Sequence, residues 1–325
     1  MMPQPAYLLT IALLVLMVSG CDQQPQEAPG LLVDPVVLGN SVSDWQKTRL
    51  NQSVASTTTL VNQTNRFLEN PGEEARGHWQ RAWHRAHEDF HHATLLMPPD
   101  SLLHIDVWPV APGFLDALPA YPESGIISDL SLDITVTSLQ AQHMLTDRSE
   151  ASLGFHVLEY YAFDRPLEDM QPGNNLQERR RTLIKRVSDH LLLAVLQLKN
   201  SLQASEIDAL PQTTYPELVA SLASRTDSIS SALNFSTEHG EFSGRSAQII
   251  AAQFSAIYDL LNGEVNINRY LVSIDQEQTQ VLNRTLSDAL ALIPDEDHLD
   301  ESASSRLQLL AAAISHQLED FDNGR

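Results

Sequence analysis

The sequence predicts an all-α protein made of two helical bundles. Apolar side chains recur three and four residues apart along most of the chain, and no stretch alternates as a β-strand does. Prolines, glycines and acidic turns divide this pattern into four or so helices on each side of residue 170. We therefore predict a first bundle over residues 41–170 and a second over 171–325. The halves could be a duplication, although no clear repeat relates them.

The charge of the chain excludes one class of partner. Its 325 residues carry a formal net charge of −22, from 42 acidic and 20 basic side chains. Nucleic-acid binding requires clustered Lys and Arg, so no nucleic-acid partner is expected. An acidic surface attracts cations instead.

The N-terminus reads as a bacterial lipoprotein signal. The apolar stretch at residues 6–18 is too short to span a bilayer, and LMVSGC at residues 16–21 resembles a lipobox. Cleavage would leave Cys21, the only cysteine of the chain, as a lipidated first residue. The leader lacks Lys and Arg, so an ordinary cleaved signal is the alternative. We expect a lipid anchor on the periplasmic side of the cell envelope, and Asp22 favours the inner membrane.

The first half should begin with a tether and a helical pair. Residues 21–40 contain several Pro and Gln and read as a tether. Two amphipathic helices should then pack antiparallel, the first ending at Asn-Pro-Gly (70–72) and the second near Leu96. The proline-rich residues 100–125 should form a long loop, which in a compact domain is often functional. A helix is expected again over residues 129–145.

The second half should contain five further helices. The first has a basic N-terminal half, which we interpret as a solvated face. The predicted segments are residues 175–203, 216–235, 240–262, 276–293 and 302–321.

Two histidines one turn apart form a zinc-peptidase motif in the second helix. Residues 87–91 satisfy H-E-x-x-H, in which the histidines bind zinc and the glutamate activates water. The apolar stripe of this helix centres on Trp79, Ala86 and Phe90, however, and His87 and His91 lie roughly 80 to 140° away from it. We therefore expect both histidines to flank the core or face solvent, and we do not expect a zinc-peptidase site here.

A second histidine motif lies inside an apolar run at residues 151–163. His156 and Glu159 stand three residues apart, so a helix would place both side chains on one face. Because an unpaired buried carboxylate is costly, Glu159 should be protonated, ion-paired or bound to a metal. From the residues alone, a functional site and a pair satisfied by polar neighbours are equally good explanations.

Several stretches resemble the imelysin-like family. Residues 152–159 (SLGFHVLE) look like the family signature. Residues 105–109 (IDVWP) and 124–129 (SGIISD) look like its upstream stretch in the same order. The helix that carries Trp79 and Trp83 is similar as well.

This resemblance implies a fold and a site. It implies two related helical bundles, with the signature near a cleft between them. It also implies a link to bacterial iron acquisition, and the family is associated with metallopeptidase activity through an insulin-cleaving member. The signature maps onto Gly154, His156 and Glu159, and Asp106 and Trp108 fall in the matching upstream stretch.

We expect a membrane-tethered periplasmic protein that binds a metal ion, iron ahead of zinc, in iron acquisition. His156 and Glu159 are the expected ligands and Asp106 is the candidate third, because iron accepts imidazole and oxygen donors. Gly154 and Trp108 should support the motif. The expected partners are the metal ion, the membrane and iron-transport proteins.

Two alternatives remain at this point. A metallopeptidase would polarise a peptide carbonyl and activate water, but we can assign no catalytic residue, because no separate base or third ligand stands at fixed spacing. A structural or interaction protein, whose buried polar pair satisfies itself, would bind no metal.

Overall fold

The computed structural model describes residues 34–208, 214–233, 239–293 and 301–322. Within these ranges the chain forms twelve α-helices and no β-strand, which confirms the predicted all-α class. No helix in the same ranges is long and apolar enough to cross a membrane. The predicted leader, Cys21 and Asp22 lie outside the described residues.

The first helix, α1 (Pro35–Glu69), begins six residues before its predicted start. Asp34 accepts a hydrogen bond from the N–H of Val36 at 2.8 Å, and Pro35 occupies the first turn, where its missing N–H costs nothing. Leu38 is already buried. The last residues of the predicted tether therefore belong to the fold, because a proline at this position starts a helix.

The second helix, α2 (Glu73–Ala93), packs along α1 after a short turn, as the sequence predicts. Its tryptophans Trp79 and Trp83 are buried, and the ring of Trp79 stacks on Phe67 of α1 with centroids 4.9 Å apart. Aromatic stacking adds to the apolar area that this pair buries. The two helices form a fixed base for the segments that follow.

The segment after α2 is mostly irregular, as predicted. It contains two single-turn helices, α3 (Pro112–Leu115) and α4 (Gly125–Ser128), and one longer helix, α5 (Val136–Gln142). The helix predicted over 129–145 is shorter than expected, because Thr135 and Ser138 form a capping box that sets its start.

The signature forms a short buried helix, α6 (Phe155–Glu159), which continues into a π-helical turn (Tyr160–Asp164). Every residue from 151 to 162 is buried, in agreement with the apolar pattern. A π-helical turn is rare and is frequently found at functional sites.

Six further helices complete the chain. They are α7 (Asn175–Asp208), α8 (Tyr215–Ala232), α9 (Ser246–Asn262), α10 (Asn268–Ile274), α11 (Gln276–Leu292) and α12 (Glu301–Asp322). All but α10 correspond to helices predicted from the sequence. The seven residues of α10 are too few to produce a recognisable helical period.

Two hydrophobic cores organise these helices. The first contains buried residues of α2, α6, α7 and the C-terminal part of α1. The second contains residues of α8, α9, α11 and α12, together with Leu38 and Trp45 from the start of α1. The predicted division at residue 170 stays a prediction, and the packing places α7 with the first core. Since α2 contacts both α1 and α9, it lies at the junction of the two cores.

Candidate metal centre

The two histidines of the H-E-x-x-H motif are buried, so the prediction that they flank the core or face solvent was wrong. His87 is 1% exposed and His91 is 7% exposed. The helical wheel located only the apolar face of α2, which packs on α1. Other sides of α2 are covered by α6, where Phe90 packs on Phe155, and by α9. The side chains of His87 and His91 point into that junction, with their Nε2 atoms 3.1 Å apart.

Asp106 is the centre of the cluster. Its Oδ1 lies 2.8 Å from Nε2 of His87 and 3.1 Å from Nε2 of His156. Its Oδ2 lies 3.1 Å from Nε2 of His91 and 3.6 Å from Nε2 of His239. Four imidazoles therefore surround one carboxylate whose side chain is 7% exposed.

The backbone explains how Asp106 reaches this position. The carbonyl of Leu102 accepts from the N–H groups of Ile105 and Asp106, and the carbonyl of Ile105 accepts from the N–H of Phe155 at 2.9 Å. Gly154 has a φ of +103°, and a Cβ there would lie 2.5 Å from the Ile105 carbonyl oxygen. Glycine is therefore required, because it lets the upstream loop and the signature helix touch.

Glu159 stands behind His156. Its Oε2 lies 2.6 Å from Nδ1 of His156, on the side of the ring that faces away from Asp106. Its Oε1 accepts a hydrogen bond from the N–H of Ser243 at 3.0 Å. The structure thus brings the predicted residues His156 and Asp106 together, and it uses Glu159 to orient His156. Metal-binding histidines commonly have such a carboxylate partner.

His239 joins the cluster from the segment before α9, and sequence reasoning missed it. Its Nε2 lies 2.9 Å from Nε2 of His156, which is 83 residues earlier in the chain. Trp108, the predicted supporting residue, packs on the His239 ring with centroids 5.3 Å apart. His239 belongs to no helix and follows no period, so the only signal in the sequence was the presence of an isolated histidine before a glycine.

The electrostatics favour a mixture of neutral and charged groups. Burial lowers the pKa of His87 well below its usual value and lowers the pKa of His239 to about 4, so both rings are neutral near pH 7. Burial opposes the ionised form of Asp106, but the surrounding histidines outweigh it and hold the pKa well below the usual value.

His156 differs from its neighbours. Burial disfavours the charged ring, yet hydrogen bonds to Asp106 and Glu159 raise its pKa to about 10. A protonated His156 can donate from Nδ1 to Glu159 and from Nε2 into the cluster. Burial also opposes ionisation of Glu159, but the bonds from His156 and Ser243 lower its pKa.

The donor set suits a metal ion. One ligand atom from each of His87, His91, Asp106 and His239 lies within 4.8 Å of the others. An ion with ligands at about 2.1 Å separates neighbouring ligand atoms by roughly 3.0 Å in octahedral and roughly 3.4 Å in tetrahedral coordination. The separations around Asp106 span this range. Neutral imidazoles and an ionised carboxylate are also the protonation states that metal binding needs.

The glutamate of the H-E-x-x-H motif lies elsewhere. Glu88 points to Arg245, with the two charged groups 3.6 Å apart, and lines a different pocket from the histidines. Burial raises the pKa of Glu88, partly offset by Arg245. The motif therefore contributes two candidate ligands and no adjacent base.

A helical fold with this buried group beside a G-x-H-x-x-E signature is that of an imelysin-type protein. The imelysin family model (peptidase family M75) matches residues 47–320, and the chain belongs to this family.

Two solved structures share the fold. One is a protein from Parabacteroides distasonis described as an iron-regulated protein A precursor, with 12% identity, a TM-score of 0.66, and coverage of 91% of this chain and 97% of that one. The other is an imelysin-like protein from Psychrobacter arcticum, with 15% identity, a TM-score of 0.63, and coverage of 87% and 92%. No curated protein matches the chain.

Proposed function

We propose that this imelysin-family protein binds a metal ion, iron in preference to zinc, during bacterial iron acquisition. The convergence of His87, His91, Asp106 and His239 carries the proposal. These residues come from three separate segments of the chain, and burying so many polar groups is costly unless they bind one another or an ion. His156 lies beside the group, with Nε2 3.1 Å from Asp106, and would become a fifth ligand when an ion displaces its Nε2 proton.

The donors are compatible with iron, and the description of one relative favours iron over zinc. Imidazole suits iron, zinc and copper, whereas carboxylate favours the harder ions, so the mixed set fits Fe²⁺ as well as Zn²⁺. One structural relative is described as iron-regulated. The net charge of −22 would concentrate cations around the protein.

The position in the cell is part of the same proposal. A lipobox-like sequence before Cys21 supports a lipid anchor, and residues between it and α1 would space the fold from the membrane. The protein would then act in the periplasm, with Asp22 favouring the inner membrane and with iron-transport proteins as partners. Membrane fractionation of wild type and Cys21→Ser tests the anchor, because the variant should be released into the soluble fraction.

Calorimetry tests the metal. The mature protein in detergent should bind one equivalent of Fe²⁺ without oxygen, and Zn²⁺ should compete for the same site. His87→Ala and Asp106→Asn should abolish binding, while His316→Ala, which removes an exposed histidine on α12, should not. Binding that survives in both site variants would refute the proposed site. The absence of binding in the wild type would favour the structural alternative.

A metallopeptidase is the second candidate, because both histidines of the H-E-x-x-H motif face the cluster. The position of Glu88 argues against it, since a water-activating base must lie beside the metal. Glu159 is held by His156 and Ser243. Hydrolysis of an unfolded peptide by the wild type, lost in His87→Ala, would establish this activity.

A further inference from the structure

A cavity opens directly from the cluster. Its volume is about 320 Å³, and His91, Asp106 and His239 line it. This volume is room for roughly ten water molecules at about 30 Å³ each, and it falls at the lower end of the range of small-molecule sites. The cavity is therefore larger than a bare metal ion requires.

The rest of the wall is mainly apolar, with two arginines and a few uncharged polar side chains such as Thr94 and Gln253. Leu95, Leu103 and Ile249 line the cavity together with other leucines and isoleucines. Arg225 of α8 and the exposed Arg148 line it as well. Apolar walls with a few placed polar groups are typical of sites for small organic molecules.

Arg225 has no counter-ion among the residues that the structure describes. Burial alone shifts its pKa, downwards, and no carboxylate opposes this. Asp106 is the only acidic residue in the described wall, and histidines already surround it. The chain has 42 acidic and 20 basic residues, yet no carboxylate of the described residues pairs with this half-buried arginine, which is therefore available to an anion from outside.

We propose that the cavity binds a small organic carboxylate with an apolar body and metal-chelating oxygen atoms. Its carboxylate would pair with Arg225, its body would lie along the leucine and isoleucine wall, and its chelating oxygens would reach the ion held by the His and Asp cluster. The inference rests on the proposed metal function and deepens it: the protein takes the metal as a chelate with an organic anion.

The test uses 2,3-dihydroxybenzoate as the probe, with neutral catechol as its partner without the carboxylate. The metal-loaded mature protein should bind 2,3-dihydroxybenzoate in calorimetry and keep its metal through gel filtration. Arg225→Gln should weaken that binding about 10- to 100-fold, because an Arg–carboxylate pair is lost. Catechol binding should be the same in both proteins, and Arg225→Lys should restore part of the affinity.

Arg284→Gln is the matched control, since Arg284 is exposed on α11 and lies outside the cavity wall. Its affinity for the probe should equal that of the wild type. The inference is overturned if 2,3-dihydroxybenzoate does not bind, or if it binds Arg225→Gln as tightly as it binds the wild type. It is also overturned if the probe removes the metal ion from the protein. Equal affinity for the metal-free and metal-loaded proteins also overturns the chelate. The Fe²⁺ titration without probe decides the proposed function separately.

Discussion

Replacing Glu159 by glutamine distinguishes a ligand from a residue that orients a ligand. The carboxylate takes a hydrogen bond on each oxygen, from His156 Nδ1 at 2.6 Å and from the N–H of Ser243 at 3.0 Å. Glutamine has nearly the same shape but only one accepting oxygen. One of the two donors must then face the amide NH₂, so His156 loses either its partner or its fixed orientation.

The expected magnitude follows from this position. Loss of a carboxylate behind a metal-binding histidine typically lowers metal affinity 10- to 100-fold, or about 1.4 to 2.7 kcal/mol. Loss of a direct ligand should lower it further, so Asp106→Asn should bind more weakly than Glu159→Gln. We predict the order of the two metal affinities and not their absolute values, because the absolute values depend on the metal.

Competition with a chelator of known affinity measures both variants on one scale. Glu277→Gln, an exposed residue on α11, is the control and should match the wild type. Circular dichroism of each variant checks that the fold is kept. If Glu159→Gln lost as much affinity as Asp106→Asn, Glu159 would be a direct ligand and the reasoning would fail. If it lost none, Glu159 would have no part in the site.

Three further variants, measured by denaturant unfolding, test residues that stabilise the fold around the cluster. Gly154→Ala should lower the free energy of unfolding by at least about 2 kcal/mol, because φ is positive there and the added Cβ would clash with the upstream loop. Gly72→Ala is the control, since a Cβ there meets nothing within 4 Å and should not cause such a loss. Asp116→Ala should lower the free energy of unfolding by about 3 kcal/mol, because the buried Arg180 loses its hydrogen bonds to Asp116 and keeps only a 3.7 Å contact with Asp169. Asp189→Ala breaks an exposed pair and should lower it by under about 0.5 kcal/mol. Burial lowers the pKa of His143, whose Nδ1 accepts a backbone N–H. As pH falls below about 6.5, His143 therefore takes up a proton in the unfolded chain before it does so in the folded protein, and the folded state loses stability. In His143→Gln the metal-free protein should lose less stability between about pH 6.5 and lower pH than the wild type does. An unchanged pH dependence would show that His143 does not cause this loss.

The fold was largely predictable because helix ends are local. Proline and glycine stop helices whatever the rest of the chain does, so the α1–α2 pair and the later helices follow from the sequence. The exceptions have local causes as well. Pro35 looked like part of a tether but starts α1, and the capping box at Thr135 shortens α5.

The site was predictable only where a motif is contiguous. His156 and Asp106 lie in short stretches with recognisable order. The positions of His87 and His91 were predicted wrongly because a helical wheel identifies a buried face only by its apolar residues. A helix that is buried on two sides can carry polar residues on the second buried face. His239 comes from a part of the chain far from the motif, and only the packing of the two cores brings it near.

The cluster is built from residues on segments of both hydrophobic cores. His87, His91 and His156 belong to helices of the first core, and His239 precedes α9 of the second. Polar groups buried at such a junction must bind one another or an ion, and a cation bound by His87, His91, Asp106 and His239 would join the two cores. The same ion would therefore hold α2 against the segment before α9. The cavity begins at this point, so a chelating anion would reach the ion where the two cores meet.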